Sequence, residues 1–488
     1  MTGVPSPVPN WIGGVEVAAA CGESFDKLSP ATGKTLWRST RSRDADVQAA
    51  VSAALAAQPA WGDTPAVERG ALLHKVANAI EADRDRVAAV VAAETGKSSR
   101  EALGETAAAV ALARFMAGEG QRLYGRTTTS AVPNRSIVSM RFPVGVAGLI
   151  VAANTPIANV AWKVFPALIC GNAAVLKAAE DTPATAWLLA QIAAGCGLPG
   201  GVLNVLQGYG AEAGAALVRH PDVGVLSFTG SAAVGRGIAE VAGRRLAKVS
   251  LELGGKNPLV VCDDADLGSA VRWTVLSAFS NAGQRCASGS RVIVFDKVYD
   301  EFRDRVVAAT CKLRVGPGDD DDLGPVIREG QLKAMLDAVG RAKAAGATVL
   351  TGGERLTNGG RAGGYYLAPT LIEGAGADDD ISTAELFGPL ATLYRVAGFT
   401  EALALANHSP YGLTAAIHTR NVNRALEFTH RVRAGVVVVN AGTYGSEAHL
   451  PFGGVKQSGN GTREPGTEAL DIYSDLRNIV FNRDPAEL

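Results

Sequence analysis

A cysteine among small residues and two arginines is the first segment whose residue types suit chemistry. Cys286 lies in the run NAGQRCASGSR, with Arg285 before it and Arg291 shortly after it. Cationic neighbours favour the thiolate, and small neighbours let a substrate approach. A lone cysteine is more often a small buried hydrophobic residue, so on this segment alone both a nucleophile and a core residue remain open.

A carboxylate and an amide are the next candidates. Glu252 lies in LELGGKNP, flanked by leucines and followed by two glycines. Apolar surroundings raise the pKa of a carboxyl group and suit a general base acting on water, whereas an ion-paired structural glutamate is the alternative. Asn154 precedes Pro156, which opens a helical pattern, so it is either a helix N-cap or an amide donor for a developing oxyanion.

Three other sequence patterns are assigned no catalytic or binding role. The six histidines show no HExxH and no paired spacing with cysteines, so no metal site is expected. GYGAEAG (208–214) has one residue too many before its third glycine for a dinucleotide fingerprint, and a loop with a helix start is the simpler interpretation. The acidic runs 319–322 and 378–380, next to Gly and Pro, are interpreted as solvated loops.

The elements that must position the candidates alternate between strand and helix. Helices dominate to about residue 120, including one that opens at Thr64-Pro65. Apolar strands are predicted at 144–151, 173–177, 202–206 and 223–228, with helices between them and after Gly230. Such alternation predicts βαβ units and a buried parallel sheet, whose ligands lie beyond the carboxyl ends of the strands. Asn154, Lys177 and Gly230 should therefore converge on one crevice.

The pattern restarts in the second half of the chain. Apolar runs at 257–262, 291–295 and 436–440, with helices between them, predict a second α/β domain, and 254–256 is the candidate junction. At 488 residues the chain exceeds one ordinary domain.

Composition narrows the class further. Lys+Arg number 47 and Asp+Glu 48, so the chain has no charge excess that would gather nucleic acid. Hydrophobic residues make up 47% of the chain, enough for a large core. The six scattered cysteines suggest reduced thiols and a cytoplasmic location. Neither an export leader nor a membrane span is expected.

Six ordered segments resemble signatures of the aldehyde dehydrogenase superfamily, NAD(P)-dependent enzymes that oxidise aldehydes to acids. The resemblance runs over nearly the whole chain and favours the non-phosphorylating branch. The segments are AANTP with FPALICGNAAVLKAAEDTP (165–183), SFTGSAAVG (227–235), LELGGKNP (251–258), NAGQRC (281–286), ELFGP (385–389) and PFGGVKQSGNGTRE (451–464).

The resemblance implies roles for the candidates. Cys286 would attack the aldehyde, giving a thiohemiacetal and, after hydride transfer, a thioester. Asn154 and the backbone N–H of Cys286 would stabilise the oxyanion. Glu252 would activate the water that hydrolyses the thioester.

The same resemblance implies a cofactor site. Lys177 and Glu180 would hold the adenosine ribose, and the carboxylate disfavours a 2′-phosphate, so NAD is expected with NADP possible. Ser231, after Gly230 at a helix N-terminus, would meet the pyrophosphate. Glu385 would bind the nicotinamide ribose beside Phe387, and Ile150, Val151 and Leu253 are also assigned to this site.

The substrate is the least specified part. By resemblance, the aldehyde tunnel is lined by Arg285, Thr155, Asn159, Trp162, Ser280, Ala287, Phe452 and the 443–450 loop. This set is more polar than an aromatic tunnel, so a polar or carboxylate-bearing aldehyde is hypothesised. Arg285 would pair with the substrate carboxylate, or instead raise the thiolate content of Cys286 or bond a neighbouring loop.

The fold implied is an α/β, aldehyde-dehydrogenase-like one with a Rossmann-type cofactor domain, a second α/β catalytic domain and a small oligomerisation arm. The expected boundaries are 1–121 and 143–253 for the cofactor domain, 254–456 for the catalytic domain, and 122–142 with 457–488 for the arm. A homodimer or homotetramer is implied.

Three departures from the common family pattern are present. Ala152-Ala153 stands where Pro-Trp is usual, Ala178 replaces a proline after Lys177, and SGNGTREPG carries one extra residue. The alternatives are a CoA-acylating semialdehyde dehydrogenase, against which Glu252 argues, and a catalytically silent member, against which the joint presence of Cys286, Glu252 and Asn154 argues. A cysteine hydrolase lacks a marked histidine partner.

Overall fold

Two seven-stranded sheets organise the chain, and the computed structural model describes residues 3–487. The strands are β1 (Asn10–Ile12), β2 (Val15–Val17), β3 (Ser24–Leu28), β4 (Thr35–Thr40), β5 (Arg126–Thr128), β6 (Arg135–Pro143), β7 (Val146–Ile150), β8 (Ala173–Lys177), β9 (Leu203–Leu206), β10 (Val223–Gly230), β11 (Lys248–Leu253), β12 (Asn257–Val261), β13 (Gly289–Phe295), β14 (Thr348–Thr351), β15 (Thr370–Glu373), β16 (Leu390–Val396), β17 (Tyr411–Gly412), β18 (Thr414–His418), β19 (Val436–Val439), β20 (Val455–Lys456) and β21 (Ser474–Asn482).

Fifteen α-helices are found among the described residues. They are α1 (Asp44–Asp63), α2 (Ala66–Ala82), α3 (Arg84–Thr95), α4 (Ser99–Gly118), α5 (Pro156–Ile169), α6 (Pro183–Gly195), α7 (Ala215–Arg219), α8 (Ala232–Arg244), α9 (Leu267–Phe279), α10 (Asp296–Thr310), α11 (Glu329–Ala344), α12 (Asp380–Thr383), α13 (Phe399–Asn407), α14 (Val422–Arg431) and α15 (Ala469–Tyr473). Within residues 3–487 none of these helices has both the length and the apolar character needed to cross a membrane.

The first sheet has the order β11-β10-β7-β8-β9-β1-β2, with β11 to β9 parallel and β1 and β2 antiparallel. Every residue of β7, β8 and β9 is buried, as the apolar runs predict for strands covered on both faces. The predicted strands and the helix opening near Thr64-Pro65 are confirmed. The apolar runs do not predict β11, the strand that contains Glu252.

The strand order reverses at β7. The chain proceeds from β7 outward to β8 and β9, then returns to place β10 on the other side of β7. Crevices form beyond the carboxyl ends of strands at such a switch point. This topology brings the residues after β7 and β10 together.

The second sheet has the order β14-β15-β16-β13-β12-β18-β19, so the predicted second α/β unit is confirmed. Strands β12, β13 and β19 correspond to the predicted apolar runs. The first and second units are joined through the short segment 254–256, between β11 and β12.

A three-stranded antiparallel sheet, β21-β6-β5, stands apart from the two large sheets. Strand β21 pairs with β6 over nine residues, which joins the segment before β7 to the C-terminal tail. The residues before β21 are less exposed than the strand itself, since Glu464 and Tyr473 are fully buried. The domain boundaries given above remain predictions.

Candidate functional site

Cys286 lies in a tight loop between α9 and β13. Asn281 and Ala282 have φ values of 54° and 51°, and Gly283 has 66°. A Cβ at position 283 would collide with the carbonyl of Gly388, so only glycine fits this third left-handed position. Three left-handed residues in a row turn the chain sharply and leave Cys286 half-buried at the loop end.

Side chains from distant segments hold this loop. The backbone N–H of Asn281 donates to the Glu101 carboxylate at 2.7 Å. Within the loop itself, the side-chain amide of Gln284 donates to the carbonyl of Asn281 at 3.3 Å. Asn257 donates to the carbonyl of Cys286 at 2.8 Å, which fixes the peptide that follows the thiol. Sequence reasoning missed Glu101, because 180 residues separate it from its partner.

Asn154 reaches the same loop from the end of β7. Its side-chain amide donates to the carbonyl of Gln284 at 2.9 Å. Its own carbonyl accepts from the Lys97 ammonium at 2.8 Å and from the Asn281 side chain at 3.1 Å. Asn159 donates to the Asn154 side-chain oxygen at 3.2 Å, which orients the amide so that its NH₂ faces the cysteine loop.

The capping alternative for Asn154 is not what the structure shows. The N-cap position of α5 is Thr155, whose side chain makes no capping bond among the residues that the structure describes. The free N–H groups of the first helical turn instead donate to Glu105, from Ile157 at 3.0 Å and Ala158 at 3.3 Å. Asn154 is therefore available for contacts outside the helix.

Glu252 is a buried carboxylate on β11, and neither of its oxygens has a hydrogen-bond partner among the described residues. Buried polar atoms are nearly always bonded, so such an atom pair suggests a functional role. Burial raises the pKa of Glu252 well above its ordinary value, and the nearby Glu464 charge raises it further, against Lys163 and Arg463.

A buried polar cluster adjoins Glu252. Lys163 and Glu464 form an ion pair at 2.9 Å with side chains only 1% and 0% exposed. Ser227 accepts from Lys163 at 2.6 Å and donates to Glu464 at 2.7 Å. The Tyr473 hydroxyl donates to Glu464 at 3.1 Å. Sequence reasoning missed this cluster, although a lysine inside the apolar stretch of α5 was a usable signal.

The thiol of Cys286 is shaped by the same carboxylates. Burial raises its pKa to about 12, and the charges of Glu385 and Glu252 contribute in the same direction. The Ala287 N–H and the Arg285 charge act the other way. The predicted effect of Arg285 on the thiolate therefore has the expected sign but is outweighed.

The predicted cofactor residues lie at the crevice of the first sheet. Ile150 ends β7 and is followed by Val151, and Lys177 ends β8. The Lys177 ammonium pairs with Glu180 at 2.9 Å. Gly230 ends β10, and the exposed Ser231 is the N-cap of α8, its hydroxyl accepting from Val234. A helix N-terminus at a switch point suits a pyrophosphate, so these residues fit a dinucleotide.

Glu385 and Phe387 belong to the second unit and line a small cavity beside the junction segment 254–256. The Glu385 carboxylate accepts from the Gly255 N–H at 3.1 Å. A Cβ on Gly254 would overlap that carboxylate, so glycine is required where the two units join. Burial raises the pKa of Glu385 to about 7. Leu253, at the end of β11, is buried next to the junction.

A cavity of about 410 Å³ leads to Cys286. Of the residues predicted to line a tunnel, the structure places on its wall Arg285, Thr155, Trp162, Phe452 and Ala287, together with 444–448 of the predicted loop. Asn159 and Ser280 are not on the wall formed by the described residues. Glu101, Glu105 and Lys97, all missed from sequence, are on it.

Arg285, the residue directly before Cys286, places a cationic side chain on the wall of this cavity. Its guanidinium lies 5.0 Å from the centre of the Tyr444 ring. Its buried Nε has no hydrogen-bond partner among residues 3–487. Trp162 and Phe452 pack edge to face with ring centres 5.4 Å apart, forming an apolar wall.

Comparisons with known proteins identify the family of this chain. The aldehyde dehydrogenase family model matches residues 17–479. Alpha-ketoglutaric semialdehyde dehydrogenase of Bacillus subtilis is 37% identical over 473 residues, 96% of this chain and 97% of that protein. Mitochondrial benzaldehyde dehydrogenase of Antirrhinum majus is 38% identical over 476 residues, 96% of this chain and 88% of that protein.

A solved structure gives the same result. Betaine aldehyde dehydrogenase from Staphylococcus aureus in complex with NAD+ superposes with a TM-score of 0.96 at 30% identity, covering 98% of this chain and 95% of that chain. The chain belongs to the aldehyde dehydrogenase family. It is an NAD-dependent enzyme that oxidises an aldehyde.

Proposed function

We propose that Cys286, Asn154 and Glu252 are the catalytic residues of this oxidation. The observation that carries the proposal is the link between Asn154 and the cysteine loop, made by its amide and its backbone carbonyl. Cys286 lines the cavity and is the nucleophile that adds to the aldehyde carbonyl.

The first step forms a thiohemiacetal. The thiol passes its proton to water in the open cavity, sulfur bonds to the carbonyl carbon, and the electron pair of the C=O π bond moves to the oxygen, which becomes an oxyanion. Asn154 has two amide hydrogens, of which one is used on Gln284, and the second together with the Cys286 N–H stabilises this charge. NAD, when bound, supplies the hydride acceptor that converts the adduct to a thioester.

Glu252 acts in the second half of the reaction, the hydrolysis of the thioester. Neither of its oxygens has a hydrogen-bond partner among residues 3–487, and its raised pKa makes it a stronger base than an ordinary carboxylate, which suits removal of a proton from water. The hydroxide adds to the thioester, the C–S bond breaks, and the carboxylic acid leaves with the thiolate restored. A CoA-acylating enzyme does not need this base, so Glu252 favours hydrolysis.

The cofactor is held by residues of both units. Lys177 and Glu180 bind the adenosine ribose, and Ser231 after Gly230 meets the pyrophosphate at the start of α8. Glu385 binds the nicotinamide ribose, and Phe387 packs beside it. Ile150, Val151 and Leu253 complete the apolar side of this site.

The substrate is an aldehyde that carries a carboxylate. Arg285 lines the cavity, and its buried Nε has no hydrogen-bond partner in the part of the chain that the structure describes. A guanidinium recognises a carboxylate through paired hydrogen bonds. The Bacillus subtilis relative is named for a semialdehyde of a dicarboxylic acid, which supports the same class.

The protein acts as a homodimer or homotetramer through the β21-β6-β5 sheet. Its strands expose apolar side chains, which a second copy would cover: Met140, Leu476, Val480 and Phe481. The compartment proposed is the cytoplasm, supported by six free cysteines.

The proposal is tested by following reduced nicotinamide while the enzyme meets NAD and a panel of neutral, aromatic and carboxylate-bearing aldehydes. Turnover by the wild type and none by Cys286→Ala, with carboxylate-bearing aldehydes preferred, is the expected result. Equal turnover by Cys286→Ala contradicts the assignment of the nucleophile. Cys170→Ala is the matched control, since that cysteine is buried away from the cavity.

A further inference from the structure

Arg328 belongs to the second unit, and its guanidinium contacts the first unit where the adenosine ribose is proposed to bind. It immediately precedes α11, whereas its partners Glu180 and Asp181 follow β8. Arg328 bonds Glu180 at 3.1 Å and also pairs with Asp181. The Arg328 side chain is 53% exposed, so its conformation is not fixed by packing.

The carboxylate of Glu180 therefore has a cationic partner at each of its two oxygens. One of its oxygens accepts from Lys177 at 2.9 Å, and the other from Arg328 at 3.1 Å. Burial alone would raise the pKa of Glu180, but Lys177 and then Arg328 lower it below the ordinary value. A carboxylate excludes a 2′-phosphate by charge repulsion, and two adjacent cations weaken that repulsion.

A cavity of about 230 Å³ lies beside Glu180. Phe25, Lys27, Tyr209 and Arg328 are on its wall. The carboxylates on the same wall are each paired with a basic side chain: Asp26 with Arg38, Glu180 with Lys177, Asp181 with Arg328, and Glu329 with Arg355. The cavity therefore offers room for a phosphate, and Lys27 and Arg328 are the basic residues on its wall.

We propose that Arg328 is a specificity-determining residue that lets the enzyme use NADP as well as NAD. It rests on the proposed cofactor site, in which Glu180 binds the adenosine ribose. With NAD, Arg328 stays on Glu180 and Asp181. With NADP, its guanidinium moves to the 2′-phosphate, where paired charge-assisted hydrogen bonds replace two partly exposed ion pairs.

Moving Arg328 from its two carboxylate partners to the 2′-phosphate is favourable, because the bonds that it gains are of a different kind from those that it loses. The Arg328 side of both ion pairs is exposed, so water screening and side-chain entropy limit what these pairs contribute. A guanidinium bound to a phosphate dianion has more charge to bind and a matching planar geometry. Lysine lacks that geometry, so Arg328→Lys should retain only part of the effect.

The test measures binding of ADP and of 2′,5′-ADP to the full-length protein by calorimetry, which needs no turnover. We expect the wild type to bind both ligands with affinities within about tenfold of each other. Arg328→Ala should weaken 2′,5′-ADP by about tenfold or more and ADP by less than about threefold, with Arg328→Lys between. The ratio of kcat/KM for NADP over NAD should fall in parallel.

Arg341→Ala is the matched control, because Arg341 is an exposed arginine of α11 that pairs with Asp380. Equal weakening of both ligands by Arg328→Ala would make Arg328 a bridge between the units and overturn the proposal. A wild type that binds ADP but not 2′,5′-ADP would also overturn it, while leaving the proposed function intact. A wild type that binds neither ligand would contradict the proposed cofactor site itself.

Discussion

The Lys163 ammonium and the Glu464 carboxylate form an ion pair at 2.9 Å in the protein interior. Breaking such a buried pair costs about 3–5 kcal/mol, because the remaining charge has no partner. Its position next to Glu252 gives it a further consequence, since Glu464 raises the pKa of Glu252 and Lys163 lowers it. The pair therefore influences the protonation of the proposed base.

Glu464→Gln should move the pH dependence of thioester hydrolysis. Glu252 acts as a base only when ionised, so the rate falls as pH drops through its pKa. Burial is the largest cause of the raised pKa and the Glu464 charge is the next, so removing that charge lowers the pKa. The acid limb of the kcat profile should therefore shift to lower pH.

The matched control is Glu468→Gln, an exposed glutamate four residues along. It should leave the limb in place. An acid limb that stays put or moves to higher pH in Glu464→Gln would show that this charge does not act on the base.

Glu252→Gln should separate the two halves of the reaction. The first turnover does not need the base, so a burst of reduced nicotinamide equal to the active sites should persist. Steady-state turnover should fall by about 10²- to 10⁴-fold, the usual contribution of a general base. Stopped-flow absorbance distinguishes the phases, and loss of the burst together with the steady state would refute this division.

Asn154→Ala should lower kcat/KM by about 10²- to 10³-fold through loss of an oxyanion donor. Asn159→Ala should have a smaller effect, since Asn159 acts on the oxyanion donor indirectly, by orienting the Asn154 amide. Steady-state kinetics with one good aldehyde compare the two variants. Equal losses, or a change confined to KM in Asn154→Ala, would indicate a structural role for Asn154.

Arg285→Ala should raise KM for carboxylate-bearing aldehydes by about tenfold or more and leave neutral aldehydes nearly unchanged. Arg272→Ala is the control, because Arg272 is an exposed arginine stacked near a tryptophan ring, 5.5 Å from its centre. An unchanged KM for semialdehyde acids would refute recognition of a carboxylate and leave Arg285 as a partner of Tyr444.

The sequence allowed the fold and the convergence of several motifs to be predicted, for a topological reason. Asn154, Lys177 and Gly230 follow or end parallel strands, and the carboxyl ends of such strands meet at one edge of a sheet. Apolar strand runs are local signals, so β7 to β10 and β12 could be located without tertiary information.

Other site residues could not be found this way. Glu101 meets Asn281 and Lys163 meets Glu464 only because long-range packing brings them together, at separations of 180 and 301 residues. Arg328 carries no local pattern, and its relation to Glu180 depends on how the two units face each other. Residue types near a motif are visible in sequence, whereas partners across a crevice are not.

Mass spectrometry of Glu252→Gln, after mixing with NAD and a good aldehyde, is the direct test of the proposed role of Cys286 as the acyl carrier. A thioester whose added mass equals the acyl group is expected on the peptide that contains Cys286. An acyl group on any other residue, or none at all while the burst of reduced nicotinamide is present, would contradict it.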